Sequence, residues 1–145
     1  MPLLIIAAIA IPNLLRARMA ANEASAVGTL RTLNVALVGY SARCATQGYP
    51  ATLGALGPGD PRPGNCSHAH LVAAELAAAV PTSNGYRFFY IPNASDSGGR
   101  VVRFALAADP INPGASGQRH FFSDETGVIR WSTTASADAQ SEPLQ

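Results

Sequence analysis

Leu3-Leu4-Ile5-Ile6-Ala7-Ala8-Ile9-Ala10-Ile11-Pro12-Asn13-Leu14-Leu15-Arg16-Ala17-Arg18 opens a helical pattern that runs past Tyr40. Ala, Leu, Met, Arg and Glu dominate residues 14–33, and all are strong helix formers. From Val27 onward an apolar stripe is legible: Val27, Leu30, Leu33, Leu37, Tyr40 and Cys44. Steps of three and four keep those side chains on one helical face. The stretch thus predicts one long helix over residues 1–45 in two parts: residues 1–27, which begin apolar all round, and the remainder, apolar on one side only. A continuous helix of about 40 residues is roughly 60 Å long at 1.5 Å per residue. That exceeds the width of a small domain, so the free end must be buried in something else.

The other 100 or so residues set what the helix can pack against. A chain of 145 residues is one domain by length. Charged residues make up only 13% of it and the formal net charge is +1. Apart from the Arg16/Arg18 pair the basic residues are scattered, which gives no footprint for nucleic acid. The opening run is not a signal peptide by pattern, since nothing basic precedes Arg16. It is also short for a bilayer, which takes about 20 apolar residues to span. A buried core helix is the plain alternative; a membrane or assembly segment is favoured, because nothing as apolar recurs to cover it.

Gly48 followed by Pro50 predicts the helix stop near Cys44. Residues 48–66, rich in Gly and Pro, read as a loop. Residues 70–80 (HLVAAELAAAV) read as a short helix stopped by Pro81. A Ser83-Asn84-Gly85 turn leads into four expected strands, at residues 86–91, 100–107, 119–122 and 127–132. Asp124-Glu125-Thr126-Gly127 is read as the last hairpin turn, and the polar tail after Thr133 as loosely ordered. A small antiparallel sheet with one apolar face needs a cover. The expectation is therefore α+β: a protruding N-terminal helix, with a head over residues 46–145 packed on the helix's C-terminal half.

Candidate chemistry is sparse. Cys44 and Cys66 bracket the Gly/Pro-rich loop, and in an exported protein such an even pair reads as one disulfide. With His68 and His70 the same thiols form a zinc-type set, which keeps an exported metal- or ligand-binding module open. His120 reads as an ordinary strand residue. Asp124 and Glu125 supply few of the six to eight oxygens that calcium takes. No G-x-S-x-G, P-loop or HExxH pattern is present, so no enzyme activity and no cofactor are expected. Asn65-Cys66-Ser67 and Asn93-Ala94-Ser95 match the glycan acceptor pattern without further support.

Residues 7–18 (AAIAIPNLLRAR) resemble the stretch of type IV pilins and pseudopilins where the membrane helix passes its proline. Residues 20–34 look like the continuation of that helix in one bacterial pilin-like subgroup, and residues 117–130 like its closing hairpin. The likeness covers nearly the whole chain, most strongly residues 7–40 and 117–130. It implies a filament subunit held in the bacterial inner membrane before assembly and then in an extracellular fibre. Its partners would be copies of itself, membrane lipid, and pilus or type II secretion assembly machinery. Leu3, Leu4, Ile5, Ile6, Ile9, Ile11, Pro12, Leu14 and Leu15 would form the filament-core or membrane segment. Arg16, Arg18 and Glu23 would pair between subunits or meet lipid headgroups, a role in which salt bridges set register. The family's processing glycine, its following phenylalanine and its early glutamate have no counterpart, so the start reads as shortened, with Met1-Pro2 in their place.

Overall fold

A computed structural model describes residues 2–59 and 65–144, the side chains of residues 2–4 excepted. The first element, α1, is a single helix over Pro2–Arg43. Pro12 lies inside it and cannot donate to the carbonyl one turn back, so the ladder loses one rung there and continues. The helix ends at Arg43, and the turn that follows it closes at Gly48, whose φ of +74° is one that glycine adopts without strain. The Gly48 amide donates to the Cys44 carbonyl, and the Val101 amide donates to the Gln47 carbonyl, tying the helix end to the sheet.

The sheet is an antiparallel meander of six strands in chain order. They are β1 (Thr82–Ser83), β2 (Tyr86–Ser95), β3 (Val101–Pro110), β4 (His120–Asp124), β5 (Arg130–Ser132) and β6 (Glu142–Pro143). Asn84 and Gly85 both take positive φ, the conformation that a two-residue hairpin between β1 and β2 requires. The long strands alternate as their sequences predict. Tyr86 and Phe88, Phe104, Leu106 and Ala108, and Phe121 and Ser123 are all buried on one face. Register aligns Phe88 with Ala108 and Ala108 with Phe121, and likewise Leu106 with Ser123.

The helix stripe covers that face. Leu30, Leu33 and Leu37 have no exposed surface, and Val27, Tyr40 and Cys44 join them in one core with the sheet residues. Asn34 donates to the buried Ser123 hydroxyl at 2.6 Å, so the polar position on the inner face is matched from the helix. Cys44 and Cys66 form a disulfide, their Cα atoms 5.9 Å apart. Both thiols are thereby used, and the zinc-type set of Cys44, Cys66, His68 and His70 is not formed. The Tyr40 hydroxyl lies 2.7 Å from both the Cys66 carbonyl and Gln47 Oε1, which reinforces the same corner.

Four expectations need correction. Six strands are present where four were read, because β1 and β6 are two-residue edge strands too short for any periodicity. β6 recruits the tail: the Leu144 amide donates to the Ile129 carbonyl, and Ala137 is buried. Residues 70–80 form turns rather than a helix. Amides at their start are drawn to another partner, the 3₁₀ turn Leu53–Leu56, where Leu71 and Val72 donate to the Leu56 carbonyl. An 11-residue helix gains too little from propensity to resist such tertiary pairing. That 3₁₀ turn is itself a surprise within the expected loop, and it sinks Leu53 and Leu56 into the core. Residues 60–64 of the loop lie outside the described residues.

Two outcomes follow for the head. Leu37→Ala should cost about 2–5 kcal/mol, as for buried leucines elsewhere, and Leu37→Asp should abolish cooperative unfolding in a thermal melt. An unchanged melting temperature for Leu37→Asp would place the stripe in solvent. The disulfide closes a loop of 22 residues. Reduction should therefore lower stability by roughly 3 kcal/mol on the loop-entropy argument, read as a lower urea midpoint, with two thiols titratable only after reduction.

Candidate functional site

Every residue from 5 to 18 of α1 is exposed. Ile5, Ile6, Ile9, Ile11 and Leu14 each keep more than 60% of their surface in solvent, and Leu15 keeps 42%. At 100° per residue these six side chains point around the full circumference of the helix rather than to one side. Arg16 and Arg18 end the apolar segment, and both are exposed. Leu3 and Leu4, expected in the same segment, lie outside the described side chains. Among the described residues no helix is long and apolar enough to cross a membrane.

The free segment ends where the head takes hold, and that point is nearer the N-terminus than the sequence suggested. The expected division at residue 27 falls inside the packed part, since Glu23, Ala26 and Val27 are already buried. Glu23 differs most from expectation. Its Oε1 accepts from the Gln118 and Arg119 amides at 3.0 and 3.1 Å, and its Oε2 accepts from Arg119 Nε at 2.9 Å. The carboxylate is satisfied within its own chain and is not presented to a neighbour. Arg119 in turn stacks over Phe121 and Trp131, 5.3 and 5.7 Å from the ring centroids. Asn22 donates to the Ser116 carbonyl, Asn84 donates to Ser25, and the Tyr86 hydroxyl donates to the Arg119 carbonyl. Glu23 and Asn22 thus lash the loop between β3 and β4 to the helix, Ser25 holds the β1–β2 turn to it, and Tyr86 ties the loop to β2. Sequence reasoning missed this clamp because Glu23 and Arg119 are 96 residues apart.

Arg18 stays on the solvent side of the clamp. It lines a polar groove of about 390 Å³ with Leu15, Asn22, Asn84 and Asn112. Elsewhere, His120 Nδ1 lies 2.7 Å from Asp109 Oδ1, a cross-strand pair that linear spacing could not reveal. Asp124 Oδ1 accepts from the Thr126 amide, and Glu125 accepts from the Phe104 amide and faces Arg103 at 3.8 Å. Asp124 thus builds the hairpin turn, and Glu125 ties that turn back to β3. Among the described residues no cluster of three or more His, Cys, Asp or Glu is placed to hold a metal ion.

Comparison with protein-family models, with curated proteins and with solved structures finds no match to this chain. The physical character of the site has to carry the functional reading. What it offers is an apolar helix end, uncharged over residues 2–15 and exposed over residues 5–15, on a disulfide-tied head.

The clamp has a pH signature. Burial raises the Glu23 carboxyl, but hydrogen bonds from the Gln118 and Arg119 amides and the Arg119 side chain, with its charge, hold it below its ordinary 4.5. A carboxyl lowered on folding contributes fully above its unfolded value and loses that contribution as pH falls through the folded one. Glu23→Gln should therefore cost about 1–3 kcal/mol near neutral pH. The gap to the wild type should close progressively in urea unfolding below about pH 4.5. A gap that stays constant down to pH 2 would show that the carboxylate's charge is not what holds the clamp.

Proposed function

We propose that this chain is the structural subunit of a type IV pilus-like filament, assembled through the exposed N-terminal part of α1. The observation that carries the reading is the all-round apolar surface of residues 5–15, held clear of the head. Full burial of a large aliphatic side chain is worth roughly 1.5–3 kcal/mol, so six of them offer on the order of 10 kcal/mol per copy. Association costs about 4–15 kcal/mol in lost freedom. A single neighbouring helix would cover only one side of the rod and recover only part of the gain. Several neighbours, or lipid before they arrive, are needed to cover it all.

The same physics supports the proposed life history. A subunit waiting in the inner membrane keeps the rod in acyl chains, with Arg16 and Arg18 at the headgroup level. Pilus assembly machinery then exchanges lipid for the helices of other copies, and the head stays on the outside of the fibre. The disulfide supports placing that head beyond the cytoplasm, where such bonds persist. The resemblance of residues 7–40 and 117–130 to bacterial pilins points the same way.

The test is direct. The full chain should form filaments or demand detergent. A variant lacking residues 1–18 should be monomeric without detergent and should melt like the full chain, since Glu23 and everything packed beyond it remain. Sedimentation and negative-stain microscopy read the result. A full chain that is monodisperse in plain buffer overturns the proposal.

A further inference from the structure

The groove beside Arg18 lies where the apolar helix end meets the head, and each of its walls is fixed. Leu15, Arg18 and Asn22 are spaced by three and four residues, so one face of α1 forms the inner wall. The β1–β2 turn, with Asn84 and Gly85, and the β3–β4 loop, with Asn112 and Ser116, form the others. The Ile111 amide donates to the Gly85 carbonyl at 2.8 Å, which joins turn and loop. Asn22 Nδ2 donates to the Ser116 carbonyl at 3.0 Å, which joins loop and helix. Asn84 Nδ2 donates to Ser25 Oγ at 2.7 Å, which joins turn and helix. Within the loop, the Asn112 amide donates to Ser116 Oγ, and the Ser116 amide donates to the Asn112 carbonyl. A Cβ at Gly85 would come within 2.6 Å of Ser116 Cβ, so turn and loop pack as closely as glycine permits.

This frame leaves donors over. The Arg18 guanidinium makes no ion pair or hydrogen bond with any described residue, and neither does the Asn112 side-chain amide. No carboxylate lines the groove, and Glu23, the acidic side chain of α1, is already paired with Arg119. The groove is therefore electropositive, and the planar fork of an arginine suits phosphate oxygens. Below Arg18 the same face of the helix turns apolar, because Leu15, Ile11 and Ala8 continue it in steps of three, four and three. Leu15 is 42% exposed and Ile11 67%. A ligand seated here meets a cation and amides at one end and, within about 10 Å along the axis, exposed aliphatic side chains at the other.

We propose that the groove binds an anionic phospholipid, its phosphate held by Arg18 and the Asn112 amide and an acyl chain lying along Leu15 and Ile11. The inference rests on the filament reading above and names the lipid site of the subunit as it waits in the membrane. A free phosphate would satisfy Arg18 and leave Leu15 and Ile11 in water, whereas an amphiphile uses both ends. An anionic headgroup suits the site better than a zwitterionic one, because the exposed Arg16 adds a second positive charge at the same level. Arg16 itself points 200° around the helix from Arg18 and does not line the groove. The lipid would thereby orient the head, with the β1–β2 turn and the β3–β4 loop against the membrane surface.

The experiment titrates the full chain, held in a non-ionic detergent, with phosphatidylglycerol. Native mass spectrometry counts the bound lipid, and a thermal melt in lipid-free detergent checks each variant. Wild type should retain a lipid that Arg18→Gln holds roughly tenfold more weakly. Asn112→Ala should weaken it several-fold and Arg16→Gln hardly at all, with all melting temperatures unchanged. Equal losses in Arg16→Gln and Arg18→Gln would reduce the effect to diffuse charge attraction and overturn the groove. Inorganic phosphate that displaces the lipid at equal concentration would make the ligand a free anion and overturn the lipid assignment. Filaments from a chain that retains no lipid overturn this site and leave the filament reading standing. A chain that binds the lipid through Arg18 yet is monodisperse without detergent overturns the filament reading and keeps the groove.

Discussion

The burial of one helix stripe against one sheet face is the interaction on which the rest of this molecule depends. The meander of six strands has an inner face of Tyr86, Phe88, Phe104, Leu106 and Phe121, and among the described residues α1 is the one α-helix that covers it. Without Leu30, Leu33 and Leu37 those rings would face water, and two- and three-residue strands such as β1 and β5 would not persist on their own. The helix is equally dependent. It carries only five charged residues, Arg16, Arg18, Glu23, Arg31 and Arg43, too few for a solvated helix held by ion pairs along its surface.

A core supplied by one helix is small, and the chain compensates with fixed points around its edge. The disulfide holds residue 66 to the helix end, and this brings the following segment alongside the 3₁₀ turn. Three tyrosine hydroxyls reach carbonyls outside their own strands or helix: Tyr40 at Cys66, Tyr86 at Arg119 and Tyr90 at Pro50. Burial pushes all three phenols up, so they remain protonated donors at any ordinary pH. At the opposite end of the head, the Glu23 carboxylate gathers two amides and the Arg119 guanidinium. The head is therefore pinned to α1 at both ends of the stripe. The packed half of α1, from Glu23 to Cys44, is thereby held to the sheet along its whole length.

What could be read from the sequence follows from the range over which each feature acts. The stripe, the glycine stop, the Asn84-Gly85 turn and the alternation of β2 and β3 are local, and each is visible within a dozen residues. The cysteine pair was legible because only two thiols exist. Residues 70–80 misled because alanine-rich propensity is a local preference, whereas the carbonyls that claim the amides of residues 70–72 belong to Leu56 and Gly57. β6 was invisible because Glu142 and Pro143 have neither strand propensity nor length, and only the neighbouring β5 makes them a strand. In the sequence Glu23 groups with Arg16 and Arg18 as a charge for pairing between subunits or for lipid headgroups, because it follows them closely on one helix. Its partner is on β4's threshold, and no spacing rule links the two.

The composition of α1 carries one more consequence. A helix that serves only to cover a sheet should turn a polar side to water, and its apolar and polar residues should separate by face. Here they do not separate, because Val35 and Val38 stand opposite Leu37 and Tyr40, and Ala21 and Ala24 stand opposite Glu23 and Ala26. The side away from the sheet is built of the same residue classes as the side against it, with smaller members. Evolving a soluble surface there would have required no change to the core, since neither Val35 nor Val38 is needed beneath the sheet. Valine, alanine and glycine on that side fit the filament proposed above, in which other copies would lie over the helix.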